Sequence, residues 1–289
     1  MATAPRPLTE LTAGVYLATA TTWTSSSVLV VDEPVARGSE VLVVDPGITP
    51  DEVAGLAAAV KDRGWRVTAG LATHPHWDHV LWSTALGAVP RFAAPRAVAQ
   101  VVTGVERLWA DAEQVAPGHE RELFGRLTPV PGLPAHLTGP QFAGLPAPAP
   151  PGCTVVAHDA HAPGHLALVT RGVLLAGDML SDVEVPFLDV GPGGDPAHAP
   201  ADPLGDYRAA LDALAAAARD GDVEVLVPGH GTPARGAAAI AARFAADHAY
   251  LDALEREAAG GAQVGDLRLA EEWVAGEHAH QLELLRSRA

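Results

Sequence analysis

Short apolar runs alternate along the chain with longer alanine-rich stretches in which apolar residues recur every three or four positions. Short runs bounded by Gly, Pro or Asp predict strands, and the longer amphipathic stretches predict helices. The predicted strands are residues 14–19, 26–33, 40–47, 67–74, 153–160, 166–172, 173–179 and 223–229. The predicted helices are residues 50–63, 96–113, 204–220, 234–259 and 264–288. Strands come before helices in each half, so the pattern favours an α/β protein of two β-then-α halves packed as layers.

Two proline-rich stretches, residues 115–151 and 181–204, interrupt this pattern. Proline has no backbone N–H, so neither stretch can form a regular helix or a central strand. Both are longer than ordinary connections in a compact domain. We expect them to form the walls of a binding pocket, and the alternative is that they only cover the surface.

The composition narrows the possible functions. With 289 residues, of which 48% are hydrophobic, the chain can bury a sizeable core. Its net charge of −16 repels phosphate backbones, so we expect no nucleic-acid partner. No apolar run approaches the roughly 18 residues of a spanning helix, which predicts no membrane insertion. The single cysteine, Cys153, cannot form an internal disulfide, and the first residues do not resemble a signal peptide, so we expect a cytoplasmic protein.

The most informative segment is residues 73–79, Thr-His-Pro-His-Trp-Asp-His, directly after a predicted strand. It places four potential metal ligands within six consecutive residues: His74, His76, Asp78 and His79. If the segment is extended, the first three share one face and His79 lies on the other, so the segment can serve two adjacent centres. A His-rich polar loop is the alternative, but the interleaved Trp and Pro stiffen the segment and favour a metal site.

Three further candidates follow predicted strands beside a glycine: His165, Asp178 and His230. Glycine allows the backbone to turn sharply and lets a ligand approach closely. Each residue alone is typical of an ordinary turn. Together with the first segment they supply five imidazoles and two carboxylates, enough to hold two divalent ions and leave a position for water.

The order His-x-His-x-Asp-His, then His, Asp and His, each at a strand end, resembles the pattern of the metallo-beta-lactamase superfamily. The resemblance implies a four-layer αβ/βα sandwich with a C-terminal helical extension. It assigns residues 1–233 to the catalytic domain and residues 234–289 to the extension packed on it.

The resemblance also implies a division of the ligands. His74, His76 and His165 would hold one metal ion, Asp78, His79 and His230 would hold the second, and Asp178 would bridge the two. Asp45 matches an acidic motif of the superfamily and would orient a ligand. An Asp before Pro-Gly is equally typical of a turn, and both interpretations of Asp45 stay open here.

Imidazole and carboxylate ligands without a thiolate suit zinc, and iron or manganese remain possible. We therefore expect two divalent ions and a hydrolase that acts on a small carbonyl ester, lactone or thioester, with Asp78 and Asp178 as the catalytic carboxylates. Two alternatives stay open: a mononuclear iron sulfur-dioxygenase of the same fold, and a metal-binding protein without turnover. The expected partner is a small-molecule substrate, and the sequence predicts no oligomeric state.

Other residues have simpler interpretations. His158 and His161 lie close to His165 in the sequence, and we expect them at a strand edge, without a role in metal binding. Trp77 and Trp82 flank the proposed site and are either pocket walls or buried packing. Cys153 has no nearby base in the sequence and is interpreted as a structural thiol.

Overall fold

The computed structural model describes residues 4–130 and 153–288, and in this part of the chain two β-sheets pack face to face. The first sheet has seven strands in chain order: β1 (Thr9–Thr12), β2 (Val15–Thr19), β3 (Ser26–Val31), β4 (Glu40–Val44), β5 (Arg66–Leu71), β6 (Arg91–Ala93) and β7 (Thr128–Pro129). Strands β1 to β4 pair antiparallel, and β4 to β7 pair parallel.

The second sheet has five strands: β8 (Thr154–His158), β9 (His165–Thr170), β10 (Val173–Gly177), β11 (Val225–Pro228) and β12 (Ala234–Arg235). They lie in the order β12-β11-β10-β9-β8. Only β10 and β11 pair parallel, and the other neighbours are antiparallel. The carboxyl ends of β10 and β11 therefore meet at the same edge of this sheet. Asp178 and His230 follow the two strands at this edge.

The helices are α1 (Pro50–Asp62), α2 (Pro95–Val115), α3 (Pro203–Asp220), α4 (Ala237–Ala258) and α5 (Glu272–Ser287). Helix α1 starts with a capping box, in which the Thr49 side chain accepts from the Glu52 backbone and the Glu52 carboxylate accepts from the Thr49 backbone. Within the described residues, no helix is both long enough and apolar enough to cross a membrane.

Three clusters of buried side chains define the layers. One fills the space between the sheets and joins residues such as Leu42 and Leu168. A second lies between the first sheet and α1, around Leu56. The third packs the outer face of the second sheet against α3, α4 and α5, and it includes Leu174 and Leu254. The resulting order of helix, sheet, sheet and helices is the predicted αβ/βα sandwich.

Strand β3 shows why the central strands lack the alternation of apolar and polar residues that a half-exposed strand has. All six of its residues are buried, because Val28 and Val30 face the core between the sheets while Leu29 and Val31 face α1. A strand that is covered on both faces has a nearly continuous run of apolar residues. Burying a side chain of this size contributes roughly 1.5–3 kcal/mol, so the strand strongly favours its position in the middle of the sandwich.

The predicted strands and helices are confirmed with shifts of a few residues at their ends, except at two places. The helix predicted from residue 234 begins at Ala237, because residues 234–235 pair with β11 as β12 and Gly236 takes φ +80°. The helix predicted from residue 264 begins at Glu272, after a separate 3-10 turn at Leu267–Ala270. Four short strands, β1, β6, β7 and β12, are not among the predicted strands. Of the first proline-rich stretch, residues 131–151 lie outside the described residues.

Candidate metal centre

The polar residues of the site follow strand ends of both sheets. Strand β5 ends at Leu71 and leads into the His-rich segment, β10 ends directly before Asp178, and β11 ends two residues before His230. The turn between β8 and β9 approaches the same edge and carries His161. Four separate chain segments therefore meet at one edge of the sandwich.

The first group of candidate ligands contains His74, His76, His161 and Asp178, whose ligand atoms all lie within 4.8 Å of one another. His76 Nδ1 lies 3.0 Å from His74 Nε2 and 3.1 Å from His161 Nε2. Asp178 Oδ2 is 3.3 Å from His74 Nε2 and 3.7 Å from His161 Nε2. Three imidazoles and a carboxylate oxygen thus converge on a space of the size that one metal ion occupies.

The second group contains Asp78, His79 and His230, again with all ligand atoms within 4.8 Å. Asp78 Oδ2 lies 3.3 Å from His79 Nε2 and 3.2 Å from His230 Nε2. All three side chains are buried. The two groups together form a dinuclear His/Asp site.

Asp178 lies between the two groups. Besides its contacts in the first group, its Oδ2 is 3.3 Å from His79 Nε2 and 3.5 Å from His230 Nε2. Two glycines make room for this arrangement: a Cβ at Gly177 would lie 2.4 Å from the His165 ring, and a Cβ at Gly229 would lie 1.9 Å from Asp178 Oδ1. The glycines noted in the sequence beside these residues are therefore required by close approach.

The structure differs from the sequence-based prediction at His165. Six of the seven predicted ligands lie in the two groups, but His165 does not, and His161 takes the place assigned to it. His165 is the first residue of β9, where it pairs with His158, and its ring stacks behind His74 at 5.0 Å between ring centres. Its Nε2 accepts a hydrogen bond from the Asp178 backbone at 3.2 Å. His165 therefore supports two members of the first group.

In two of the candidate ligands, the ring nitrogen that faces away from the metal group contacts an acceptor oxygen. His79 Nδ1 donates to Asp45 Oδ2 at 2.9 Å, and the same carboxylate accepts from Thr73 Oγ1 at 2.7 Å and from the Thr73 backbone at 3.0 Å. His161 Nδ1 lies 3.1 Å from the Phe187 carbonyl. Of the two interpretations of Asp45, the structure thus supports the one in which it orients a ligand, and such partners fix ring orientation in metal sites.

The protonation of the site follows from burial and neighbouring charges. Burial, together with the charge of His79, holds the pKa of His74 well below its usual value. Burial and the neighbouring His76 lower the pKa of His161 to about 3. Burial opposes the ionisation of Asp178, but His79 and His230 outweigh it and hold the pKa of Asp178 well below its usual range. His74 and His161 are therefore neutral and Asp178 is ionised, which are the forms that bind metal ions. Burial opposes the charge on His79 and His230, but neighbouring carboxylates outweigh it and raise the pKa of both, so these two histidines would release a proton when an ion binds.

Two buried atoms support the metal interpretation independently. Among the buried side-chain atoms of the described residues that lack a hydrogen-bond partner, two belong to the ligand groups: His79 Nε2 and Asp178 Oδ1. Leaving a buried polar atom unpaired costs roughly 1–3 kcal/mol. Bound cations remove such a cost, and the donor set of imidazoles and carboxylates suits divalent transition metals. The residues present therefore fit two divalent ions.

A cleft of about 630 Å³ opens over the two groups. Residues of the second proline-rich stretch line one side, including Glu184, Phe187 and Asp189, so this stretch forms a pocket wall as expected. Trp77 also lines the cleft, whereas Trp82 is buried packing with Arg91 over its ring. Of the first proline-rich stretch, expected as a second wall, residues 115–130 do not line the cleft, and residues 131–151 lie outside the described residues.

Sequence reasoning missed four residues of the site: His161, Glu184, Trp23 and Trp273. His161 lies in the turn between β8 and β9, where the sequence does not show which way a side chain points. For the others no local pattern was available, since they come from a loop and from the C-terminal helices.

Comparisons with known proteins agree with this fold. The structure is similar to a metallo-beta-lactamase family protein from Thermus thermophilus, with a TM-score of 0.63 and 22% identity over 96% of this chain and 95% of that one. It is also similar to a beta-lactamase domain protein from Burkholderia ambifaria, with a TM-score of 0.60 and 21% identity over 96% and 86%. A third similar structure is the metallo-beta-lactamase FIM-1 from Pseudomonas aeruginosa in its mono-zinc form, with a TM-score of 0.52 and 17% identity over 85% and 96%.

These likenesses show the fold, and the sequence itself shows the family. No curated protein matches the chain significantly. The family model described as the metallo-beta-lactamase superfamily matches residues 20–230, which is most of the chain and includes both ligand groups. The chain belongs to the metallo-beta-lactamase superfamily.

Proposed function

We propose that the protein is a dinuclear zinc-dependent hydrolase of a small carbonyl ester, lactone or thioester. The observation that carries the proposal is the position of Asp178, whose Oδ2 lies 3.3 Å from His74 Nε2 in one group and 3.3 Å from His79 Nε2 in the other. A carboxylate shared by two ligand groups holds two ions close together, as two-metal hydrolytic sites require.

The candidate ligands divide into two sets, one for each ion, with Asp178 common to both. His74, His76 and His161 would hold one ion, Asp78, His79 and His230 the other, and Asp178 both. When bound, the ions supply Lewis-acid activation of a water molecule and of the substrate carbonyl. Asp78 and Asp178 both line the cleft, so their carboxylates are placed to accept the proton that the attacking water loses.

The surroundings of the groups favour a small substrate. The cleft volume of about 630 Å³ lies within the range of about 300–1,000 Å³ that is usual for small-molecule sites. The buried ligands exclude bulk water from the reacting atoms, which strengthens their electrostatic effect. A structural relative in a mono-zinc form adds support for zinc.

The test is metal analysis of the purified protein combined with hydrolysis assays on a panel of esters, lactones and thioesters. We expect about two equivalents of zinc, loss of activity on chelation and its return when zinc is added. The rate should rise with pH through a limb near neutrality, because zinc lowers the pKa of a bound water to about 7. A single iron with consumption of oxygen would instead identify a sulfur-dioxygenase. Two bound ions without turnover on any member of the panel would identify a metal-binding protein.

A further inference from the structure

Two tryptophans at the mouth of the cleft are unusually exposed. Trp23 is 42% exposed and Trp273 is 45% exposed, and both line the cleft over the metal groups. The other large hydrophobic side chains that are exposed in the described part of the chain lie away from the cleft: Val35, Val102, Val115 and Leu267. Exposed aromatic surface that is concentrated at one site indicates ligand binding.

These tryptophans belong to a larger surface, here called the aromatic wall: Trp23, Trp77, Phe187 and Trp273. Trp23 and Trp273 stack with an interplanar angle of 24° and ring centres 6.5 Å apart. Trp77 meets Trp23 edge-on at 5.7 Å, and Phe187 meets Trp273 edge-on at 5.7 Å. The four rings come from four distant chain segments and all line the cleft.

The backbone at Trp23 supports a functional role for its side chain. Trp23 and Thr24 both have positive φ values, of +51° and +53°, a region that residues other than glycine rarely adopt. The strained turn is tied to the metal centre, because Gly231 N donates to the Thr24 carbonyl at 3.1 Å and the Trp23 carbonyl lies 3.4 Å from His230 Nδ1. Residues in rarely populated backbone regions cluster at active sites and ligand clamps, and here the strained turn places the half-exposed Trp23 ring at the cleft.

The charges of the cleft limit what can bind beside this wall. Beyond the metal groups, the lining carries two carboxylates, Asp189 and Glu277, and the carboxyl group of Glu184, whose pKa burial raises to about 8. Arg107 is the one arginine or lysine among the described lining residues, and it lies 3.5 Å from Asp111. An anionic group on the substrate would therefore meet repulsion here and find little pairing.

We propose that the substrate is a neutral ester or lactone that carries a flat aromatic ring, and that Trp273 of α5 determines specificity for this ring. The proposal rests on the hydrolase function proposed above. The ring packs against the aromatic wall, where offset or edge-on contacts at about 4.5–7 Å between ring centres are favourable. The ester carbonyl then extends from the ring toward Asp178 at the floor of the cleft.

A binding experiment tests the proposal without relying on turnover. The probe is 2-naphthamide, a neutral aromatic amide, titrated by calorimetry into the metal-loaded protein. We expect Trp273→Ala to weaken binding about tenfold, Trp273→Phe to retain most of the affinity, and the surface variant Leu267→Ala of the same extension to bind like the wild type. 6-Sulfo-2-naphthamide, with the same ring and an added anion, should bind more weakly. Equal affinity in Trp273→Ala, or tighter binding of the sulfonated probe, would overturn the proposal.

A kinetic comparison separates this proposal from the hydrolase proposal. With 2-naphthyl acetate as substrate, Trp273→Ala should raise KM about tenfold and leave kcat within about twofold, whereas ethyl acetate should be affected little. Metal content and melting temperature of the variants show that they remain folded. If 2-naphthamide binds as expected but no ester is hydrolysed, the hydrolase proposal fails and the aromatic wall remains a binding site. If esters are hydrolysed while Trp273→Ala leaves both affinity and KM unchanged, the aromatic-substrate proposal fails alone.

Discussion

The floor and the wall of the cleft are built in different ways. The floor is the metal centre, whose ligands follow the ends of strands in both sheets, four of them within residues 74–79. The wall consists of residues of the second proline-rich stretch, 181–204, and of helix α5, with Trp23 and Trp77 beside them. It depends on contacts between segments that are far apart in the chain. The fold therefore determines where the metal ligands lie, while the C-terminal extension helps to determine which substrates reach them.

A buried ion pair connects the extension to the wall. Arg268 Nη1 donates to Asp247 Oδ1 at 2.7 Å, and also to the carbonyls of Ser181 at 3.1 Å and Glu184 at 2.9 Å. Asp247 Oδ2 in turn accepts from the Leu180 backbone at 3.2 Å. Leu180 is two residues from Asp178. The ion pair between Arg268 and Asp247 therefore also contacts the segment that connects the metal centre to residues 181–204.

The largest effect is expected at the centre of the floor. Asp178→Asn keeps the side-chain shape but removes the charge that both ligand groups share, so two cations would repel each other with less compensation. We expect metal content to fall below two equivalents and turnover to fall by about 1,000-fold or more. Metal analysis and steady-state assays on the same preparation measure both. The matched control is Asp252→Asn, which alters an exposed carboxylate paired with Arg208 and should change neither quantity.

The second prediction separates a ligand from its support. His161→Ala removes a member of the first group, and we expect the affinity for one ion to fall by more than about 100-fold. His165→Ala removes a ring that stacks behind His74 and accepts from Asp178, so its effect should be smaller, about 10- to 100-fold. Metal titrations of the two variants make the comparison. A greater loss in His165→Ala than in His161→Ala would restore the ligand set expected from the sequence.

The third prediction concerns the wall. Arg268→Met leaves the Asp247 carboxylate buried without its partner, which should lower the free energy of unfolding by about 3–5 kcal/mol. Burial already raises the pKa of Asp247 to about 6, and loss of Arg268 raises it further. When the pKa of a carboxyl group is higher in the folded state than in the unfolded state, protonation stabilises the fold. This contribution to the free energy of unfolding is lost as pH rises through the folded-state pKa. The deficit relative to wild type should therefore be smaller at pH 5 than at pH 8.

Chemical denaturation at the two pH values measures this effect, and the double variant Arg268→Met/Asp247→Asn is its control. The amide neutralises the buried charge and keeps an oxygen for the Leu180 backbone, so it should recover much of the lost stability. Metal content should stay at two equivalents throughout. Loss of metal in Arg268→Met would show that the metal centre depends on the wall for its stability.

Much of the fold could be predicted because its information is local. The apolar runs of β3, β4 and β10 are buried on both faces, and a continuous run of this kind is visible in the sequence. The short strands β6 and β7 were missed because two or three residues carry no periodicity. Their pairing depends on the position of the neighbouring strand and not on their own composition.

The site could be predicted as far as its ligands follow strand ends. The segment around His76 and the residues after β10 and β11 meet that condition, and they lie in the two groups. His161 lies in a turn, where the sequence does not show which way a side chain points. Trp23 and Trp273 reach the cleft only because the chain brings distant segments together, and a lone tryptophan in a sequence is more often ordinary packing.

The smallest effect is expected at the far end of the wall. Gln281 is buried on α5, where its Oε1 accepts from the Leu188 backbone at 3.0 Å and its Nε2 lies 3.4 Å from the Tyr250 hydroxyl. Gln281→Leu leaves a buried backbone N–H unpaired, which should cost about 1–3 kcal/mol of stability. Because Leu188 lines the cleft, KM for 2-naphthyl acetate should rise a few-fold, while kcat and metal content stay unchanged. The exposed neighbour on the same helix, Glu283→Ala, is the control and should have no effect on either quantity. An unchanged KM in Gln281→Leu would mean that this end of the wall does not contribute to substrate binding.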